Sequence, residues 1–182
     1  MRALDQRGVP WVNISHRLPT EGLLSVINDD EEIGRLGAEH LISCGFHQFG
    51  FVGIPNHVYS EARWRGFSTR LQEAGLAVQQ APSSDDRNLD GAHLLQWLRQ
   101  WRGPVGLMAC NDNRAIHVTF ACAELGLRIP EQVAILGVDN DVSFCELAQV
   151  ALSSVIPGFE RIGFHAAQLL DDRLQGRQPT QQ

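Results

Sequence analysis

The sequence predicts an α/β protein: a parallel sheet flanked by helices on both faces. Three observations carry that prediction. Two short, uninterrupted apolar runs, Val105-Gly106-Leu107-Met108-Ala109-Cys110 and Val133-Ala134-Ile135-Leu136-Gly137-Val138, read as strands buried on both sides. Between such runs the apolar spacing becomes helical, so strand and helix alternate from residue 28 to 156. Each run then ends in amide and carboxylate residues, Asn111-Asp112 and Asp139-Asn140-Asp141. In open α/β sheets, ligands bind just beyond the carboxyl ends of the strands. Asn and Asp there supply donors and acceptors suited to the hydroxyls of a small polar ligand such as a sugar.

Taken in order, Val9 to Ile14 is a strand candidate, placed at a strand start or an edge by Pro10. Residues 15 to 26 read as loop, which leaves that strand without a partner in its own chain. Asn28-Asp29-Asp30 caps a helix with Glu31 and Glu32 in its first turn, where the helix dipole favours acids. Ile33, Leu36, Leu41 and Ile42 form its apolar stripe, and Gly45 ends it. Phe49 to Ile54 is the next strand, stopped by Pro55 and Asn56. A helix from about Ser60 to Ala74 follows, closed by Gly75, then a short strand near Leu76 to Gln79. Pro82 to Asn88 is a polar loop, and Leu89 to Trp101 an amphipathic helix.

The strand to Cys110 is followed by a helix from about Asn113 to Leu125. Gly126-Leu127-Arg128-Ile129-Pro130 stops that helix before the strand to Val138. Leu152 to Ile156 is a last strand, ended by Pro157. The final helix, Phe159 to Leu174, carries Ile162, Ala166, Leu169 and Leu170 on one face, and Gln175 to Gln182 reads as a tail. Such an alternation calls for right-handed crossovers.

Composition excludes several classes. The chain of 182 residues carries a net charge of −6, and all 15 basic residues are Arg, scattered rather than clustered. A DNA-gripping domain needs a basic face, so this chain alone is not expected to hold nucleic acid. Cys44, Cys110, Cys122 and Cys145 are widely spaced and fall in helix or strand patterns, where free Cys behaves as a small apolar residue. No ligand spacing joins them to the seven histidines, so neither a metal nor a cofactor is expected. No apolar stretch is long enough to span a bilayer, and no apolar region follows Met1-Arg2-Ala3-Leu4-Asp5. A reduced, cytoplasmic setting without membrane contact fits. No nucleophile elbow, phosphate loop or Gly-x-Gly-x-x-Gly appears, so catalysis is not expected. Asp85-Asp86 and Asp171-Asp172 read as solvent-facing charge.

An ordered set of motifs then resembles the LacI/GalR family of transcription regulators. It comprises Gly8-Val9-Pro10-Trp11-Val12, Asn28-Asp29-Asp30, Gly34 to Leu41, and Arg63-Trp64-Arg65-Gly66-Phe67. Ala109-Cys110-Asn111-Asp112, Gly126 to Pro130, Leu136-Gly137-Val138-Asp139 and Leu152-Ser153-Ser154-Val155 complete it. Within the family, Gly137 to Asp141, Cys145-Glu146-Leu147-Ala148 and Arg161-Ile162-Gly163 are most similar to the xylose operon regulators. The resemblance implies a periplasmic-binding-protein-like (type I) lobe with an incomplete second lobe. Residues 1–27 would be a remnant of the N-terminal lobe and 28–156 the C-terminal lobe. Residues 157–182 would be the returning helix and tail.

The same resemblance places a ligand-contacting carboxylate at Asp139, although Asp after a strand also caps turns. It places Arg63 in the ligand cleft, where a helical Arg would otherwise read as solvated charge. Asn111 is expected to contact ligand and Asp112 to cap the next helix, with the reverse assignment open. Trp64 and Phe144 are candidates for stacking on a sugar face, against the ordinary reading of helical aromatics as core. His57 and His117 are weaker candidates, and His117 is expected to pack.

The implied function is a sensor of a monosaccharide such as xylose, acting on DNA only through a domain absent from this chain. The alternative is an exported sugar-binding protein of a transporter, which would carry a signal peptide and few Cys. A homodimer is expected, because Trp11 and the Ile162 face would be left exposed, with residues 1 to 26 or 159 to 176 crossing a subunit boundary.

Overall fold

A computed structural model describes residues 8–16, 22–82 and 91–177. In chain order its elements are α1 (Asp30–Ser43), β1 (Phe49–Val52), α2 (Val58–Glu73), β2 (Val78–Gln80), α3 (Gly91–Leu98) and β3 (Val105–Ala109). They continue with α4 (Asp112–Glu124), β4 (Val133–Val138), α5 (Val142–Leu147), β5 (Ser153–Val155) and α6 (Phe159–Leu174). All neighbouring strands pair in parallel, in the order β2-β1-β3-β4-β5. The chain divides into two units: Asp29–Pro157, and Met1–Asn28 together with Gly158–Gln182.

Within Asp29–Pro157, period-two alternation feeds two cores. Val105, Leu107 and Ala109 of β3 and Val133 and Ile135 of β4 join Leu94, Trp97, Val118 and Cys122 on one face. Met108, Cys110, Leu136 and Val138 join Phe49, Phe51, Ile33, Leu41, Phe67 and Leu71 on the other. Burial on both faces explains why these strands read as continuous apolar runs. Each fully buried Val, Leu, Phe or Met among them contributes about 1.5–3 kcal/mol relative to exposure. The strand order reverses between β1 and β3, the place beyond whose carboxyl ends open α/β sheets bind ligands.

α1 starts as its sequence dictates. Asp29 is the N-cap, its carboxylate accepting the Glu32 N–H at 2.9 Å. α1 then lies against α2 at backbone contact. A Cβ on Gly34 would stand 2.0 Å from the Arg63 carbonyl oxygen, and one on Gly66 would stand 1.8 Å from that of Glu31. Two glycines thus set how closely α2 approaches α1.

Several expectations need correction. Val9 to Ile14 forms no strand and is not without an in-chain partner: Asn13 alone makes a bridge, pairing in parallel with Ser25 inside the segment read as loop. Its N–H donates to the Leu24 carbonyl and its carbonyl accepts from Val26, both at 2.8 Å. β1 stops at Val52, because the Ile54 N–H turns to the Ser60 hydroxyl (2.8 Å) instead of the ladder. α2 begins at Val58, two residues before its expected start. α3 ends at Leu98, where the Gln100 and Trp101 amides turn back to Trp97 and Leu98.

α5 was not expected at all. Its signal was Asp141, which caps it by accepting the Ser143 N–H at 2.9 Å. His117 is exposed rather than packed, and Cys44 is exposed at the end of α1. Within the unit that holds α6, Trp11 and the stripe Ile162, Ala166, Leu169 and Leu170 are half-buried rather than exposed. Exposed apolar residues of α6 are Phe159, Phe164 and Leu174. Asp85-Asp86, most of the loop from Pro82 to Asn88, and the tail beyond Arg177 lie outside the described residues. Among the described residues, no helix is long and apolar enough to cross a membrane. No group of three His, Cys, Asp or Glu side chains among them could hold a metal ion.

Candidate functional site

The candidate site is the rim where β1, β3 and β4 end. Arg63 reaches it from α2. Its guanidinium is nearly inaccessible, with 4% of the side chain exposed, and is held from three sides. Nε donates to Asp30 Oδ1 at 2.8 Å, and Nη1 donates to the Cys110 carbonyl at the end of β3. Nη1 also stands 3.6 Å from Asp139 Oδ1, beyond the end of β4. The guanidinium carbon lies 5.1 Å from the centre of the Tyr59 ring, a cation–π distance. Asp30 is itself buried, so this is an ion pair inside the fold. Asp139 is the accessible end of the cluster, with 34% of its side chain exposed.

The cap expected of Asp112 falls to Asn111 instead. Asn111 is the N-cap of α4: its Oδ1 accepts the Arg114 N–H at 2.9 Å, while Nδ2 points to the Tyr59 hydroxyl at 3.5 Å. Asp112 is the first helical residue and is buried, so it is not the cap. Its Oδ1 accepts the Ser154 hydroxyl (2.7 Å), and its Oδ2 accepts the Asp141 N–H (2.8 Å). The ambiguity lies in the sequence itself, since adjacent Asn and Asp both suit a cap.

The structure therefore brings Arg63, Asn111 and Asp139 together. It adds Tyr59 and Asp30, which sequence reasoning missed. Tyr59 sits one turn before Arg63, a spacing that places the two on one helix face. Trp64 is half-buried, its ring centroid 5.5 Å from that of Phe51 in the core cluster. Phe144 is half-buried on α5. His57 contacts the Pro55 carbonyl and the edge of Tyr59.

Burial pushes the Asp139 carboxyl up from 3.8 to about 6, with Arg63 opposing the rise and Asp112 and Asp30 adding to it. Burial likewise pushes the Tyr59 phenol up to about 12, so it remains a neutral donor. For Asp139 the native state binds the proton more tightly than the unfolded chain. Its contribution to stability is therefore full below about pH 4 and is lost as pH rises through about 6. In urea unfolding at steps across that window, Asp139→Asn should gain stability relative to the unaltered chain as pH rises. Parallel curves would show that Asp139 titrates as an ordinary carboxylate.

A parallel lobe whose switch-point rim gathers a guanidinium, an amide, a phenol and a carboxylate offers the donors and acceptors that a small polar ligand would need. The chain belongs to the periplasmic-binding-protein-like domain family, whose profile matches residues 38–182. It is 33% identical over 140 residues to the xylose operon regulatory protein of Escherichia coli K12, covering 72% of this chain and 35% of that protein. The structure of the xylose-binding transcription activator XylR superposes with a TM-score of 0.84 at 27% identity, covering 100% of this chain and 50% of that one. A LacI-family regulator from Enterococcus faecium, solved with bound ribose, superposes at 0.79 with 26% identity, covering 96% and 65%. The resemblance to LacI/GalR regulators read from the sequence is thereby borne out. The chain spans about a third to a half of the length of the curated relatives it matches.

Proposed function

We propose that Asp29–Pro157 is the C-terminal lobe of a monosaccharide-sensing domain, and that the other unit belongs to the N-terminal lobe of the same domain. The carrying observation is the convergence of Arg63, Asn111 and Asp139 on one rim. The Asp139 carboxylate accepts two sugar hydroxyls, and the amide and phenol beside it donate. Trp64, whose ring also packs on Phe51, and Phe144 stack on the sugar face. The names of the relatives favour a pentose such as D-xylose. In the whole protein the sugar would bias a DNA-binding module through its unequal affinity for two states. Such a sensor is cytoplasmic and is not an enzyme.

Asp139→Ala should weaken D-xylose binding by at least about 1.5 kcal/mol, the scale of hydrogen bonds to a charged group. Calorimetric titration of the folded variant reads this directly, and an unchanged affinity would remove Asp139 from the site. A homodimer is part of the same reading, motivated by exposed Phe159, Phe164 and Leu174 on α6. Light scattering that returns the mass of one chain would end that part.

A further inference from the structure

We infer that Asp112, working through Ser154, is the positioning group that holds the loop Asp139-Asn140-Asp141 in its ligand-facing shape. The inference deepens the sugar-site reading and rests on it. The loop has an unusual backbone. Asp139 lies at φ 111° and Asn140 at φ 51°, a region that L side chains rarely adopt. Such conformations persist only where the surroundings over-determine them. Here all three loop amides are committed. The Asp139 N–H donates to the Val155 carbonyl (3.1 Å), the Asn140 N–H to Ser154 Oγ (3.0 Å), and the Asp141 N–H to Asp112 Oδ2 (2.8 Å).

Ser154 is a relay. It accepts from Asn140 and donates its own proton to Asp112 Oδ1 at 2.7 Å. Two of the three amides therefore end on one carboxylate whose residue is only 1% exposed. Charge-assisted bonds of this kind are stronger than neutral ones and fix direction. The sheet is cut to admit that carboxylate: a Cβ on Gly137 would stand 2.1 Å from Asp112 Oδ1. Asp112 does not touch ligand in this scheme; it sets where Asp139 points.

Amide hydrogen exchange on the full chain, with D-xylose titration, tests the inference. Ser154→Ala should speed exchange at Asn140 about tenfold and weaken D-xylose binding about tenfold, the size of one lost hydrogen bond to a network of this kind. Ser154→Thr, which keeps the hydroxyl, should restore both. The midpoint of thermal unfolding should fall by several degrees in Ser154→Ala, the scale of one lost buried hydrogen bond, and return in Ser154→Thr, so the titrations compare folded chains. Unchanged exchange in Ser154→Ala and in Asp112→Asn would overturn the clamp. Faster exchange with unchanged affinity would overturn the positioning role. If the unaltered chain does not bind D-xylose, the sugar reading fails separately. Asp139's carboxyl titration, followed by NMR, then decides: a midpoint moved by Ser154→Ala supports positioning, and an unmoved one overturns it.

Discussion

Gly66→Ala should destabilise Asp29–Pro157 by at least ~3 kcal/mol, the top of the usual range for overpacking. In a helix interior the exchange would ordinarily stabilise by up to about 1 kcal/mol. Sterics reverse the sign here. The new Cβ would meet the Glu31 carbonyl oxygen at 1.8 Å and the Glu31 carbonyl carbon at 2.7 Å. These are backbone atoms of α1, so no side chain can rotate out of the way. The helices must part, and the contacts of Phe67 and Leu71 with Ile33 and Leu41 part with them. Gly34→Ala meets the reciprocal obstacle, the Arg63 carbonyl oxygen at 2.0 Å. Gly91→Ala is the control: its Cβ meets nothing within 4 Å and should stay within ~0.5 kcal/mol. Urea midpoints compare the three. A Gly66→Ala chain as stable as the Gly91→Ala chain would refute the backbone contact.

That crossing also shows what a sequence can and cannot announce. β3 and β4 were legible because burial on both faces forces an unbroken apolar run. α1 was legible because its cap and first-turn acids are local chemistry. What was missed is either very short or joined across long separations. The Asn13–Ser25 bridge is one pair, and α5 is six residues capped by one carboxylate. Asp30 lies 33 positions from Arg63, and only the glycine-set crossing of α1 and α2 brings them together. Asp139 was legible from its place after a buried strand, whereas Arg63 rested on resemblance, since a lone charge on a helix fits solvent equally well. That the cap is Asn111 and not Asp112 was equally hidden, because cap chemistry does not distinguish neighbours.

Arg63→Met should separate stability from recognition. The guanidinium neutralises Asp30 inside the fold, with side-chain exposures of 4% and 1%. Removing one member of a buried ion pair typically costs about 3–5 kcal/mol, because the other charge stays behind. Replacing both members by apolar residues of similar size is often neutral, so Arg63→Met with Asp30→Leu should recover most of the loss. Recognition should not recover. Both proteins lack the cation 3.6 Å from Asp139 and the donor to the Cys110 carbonyl. Since Arg63 holds the Asp139 carboxyl down against burial, its loss should move that carboxyl further above about 6 in the single variant. A protonated Asp139 accepts fewer hydroxyls, so D-xylose binding should fall in both proteins and fall further on mild acidification. Chemical unfolding and sugar titration on the same samples read the two properties apart. If the double variant regains sugar binding along with stability, Arg63 is a structural cation and the ligand contact belongs to its neighbours.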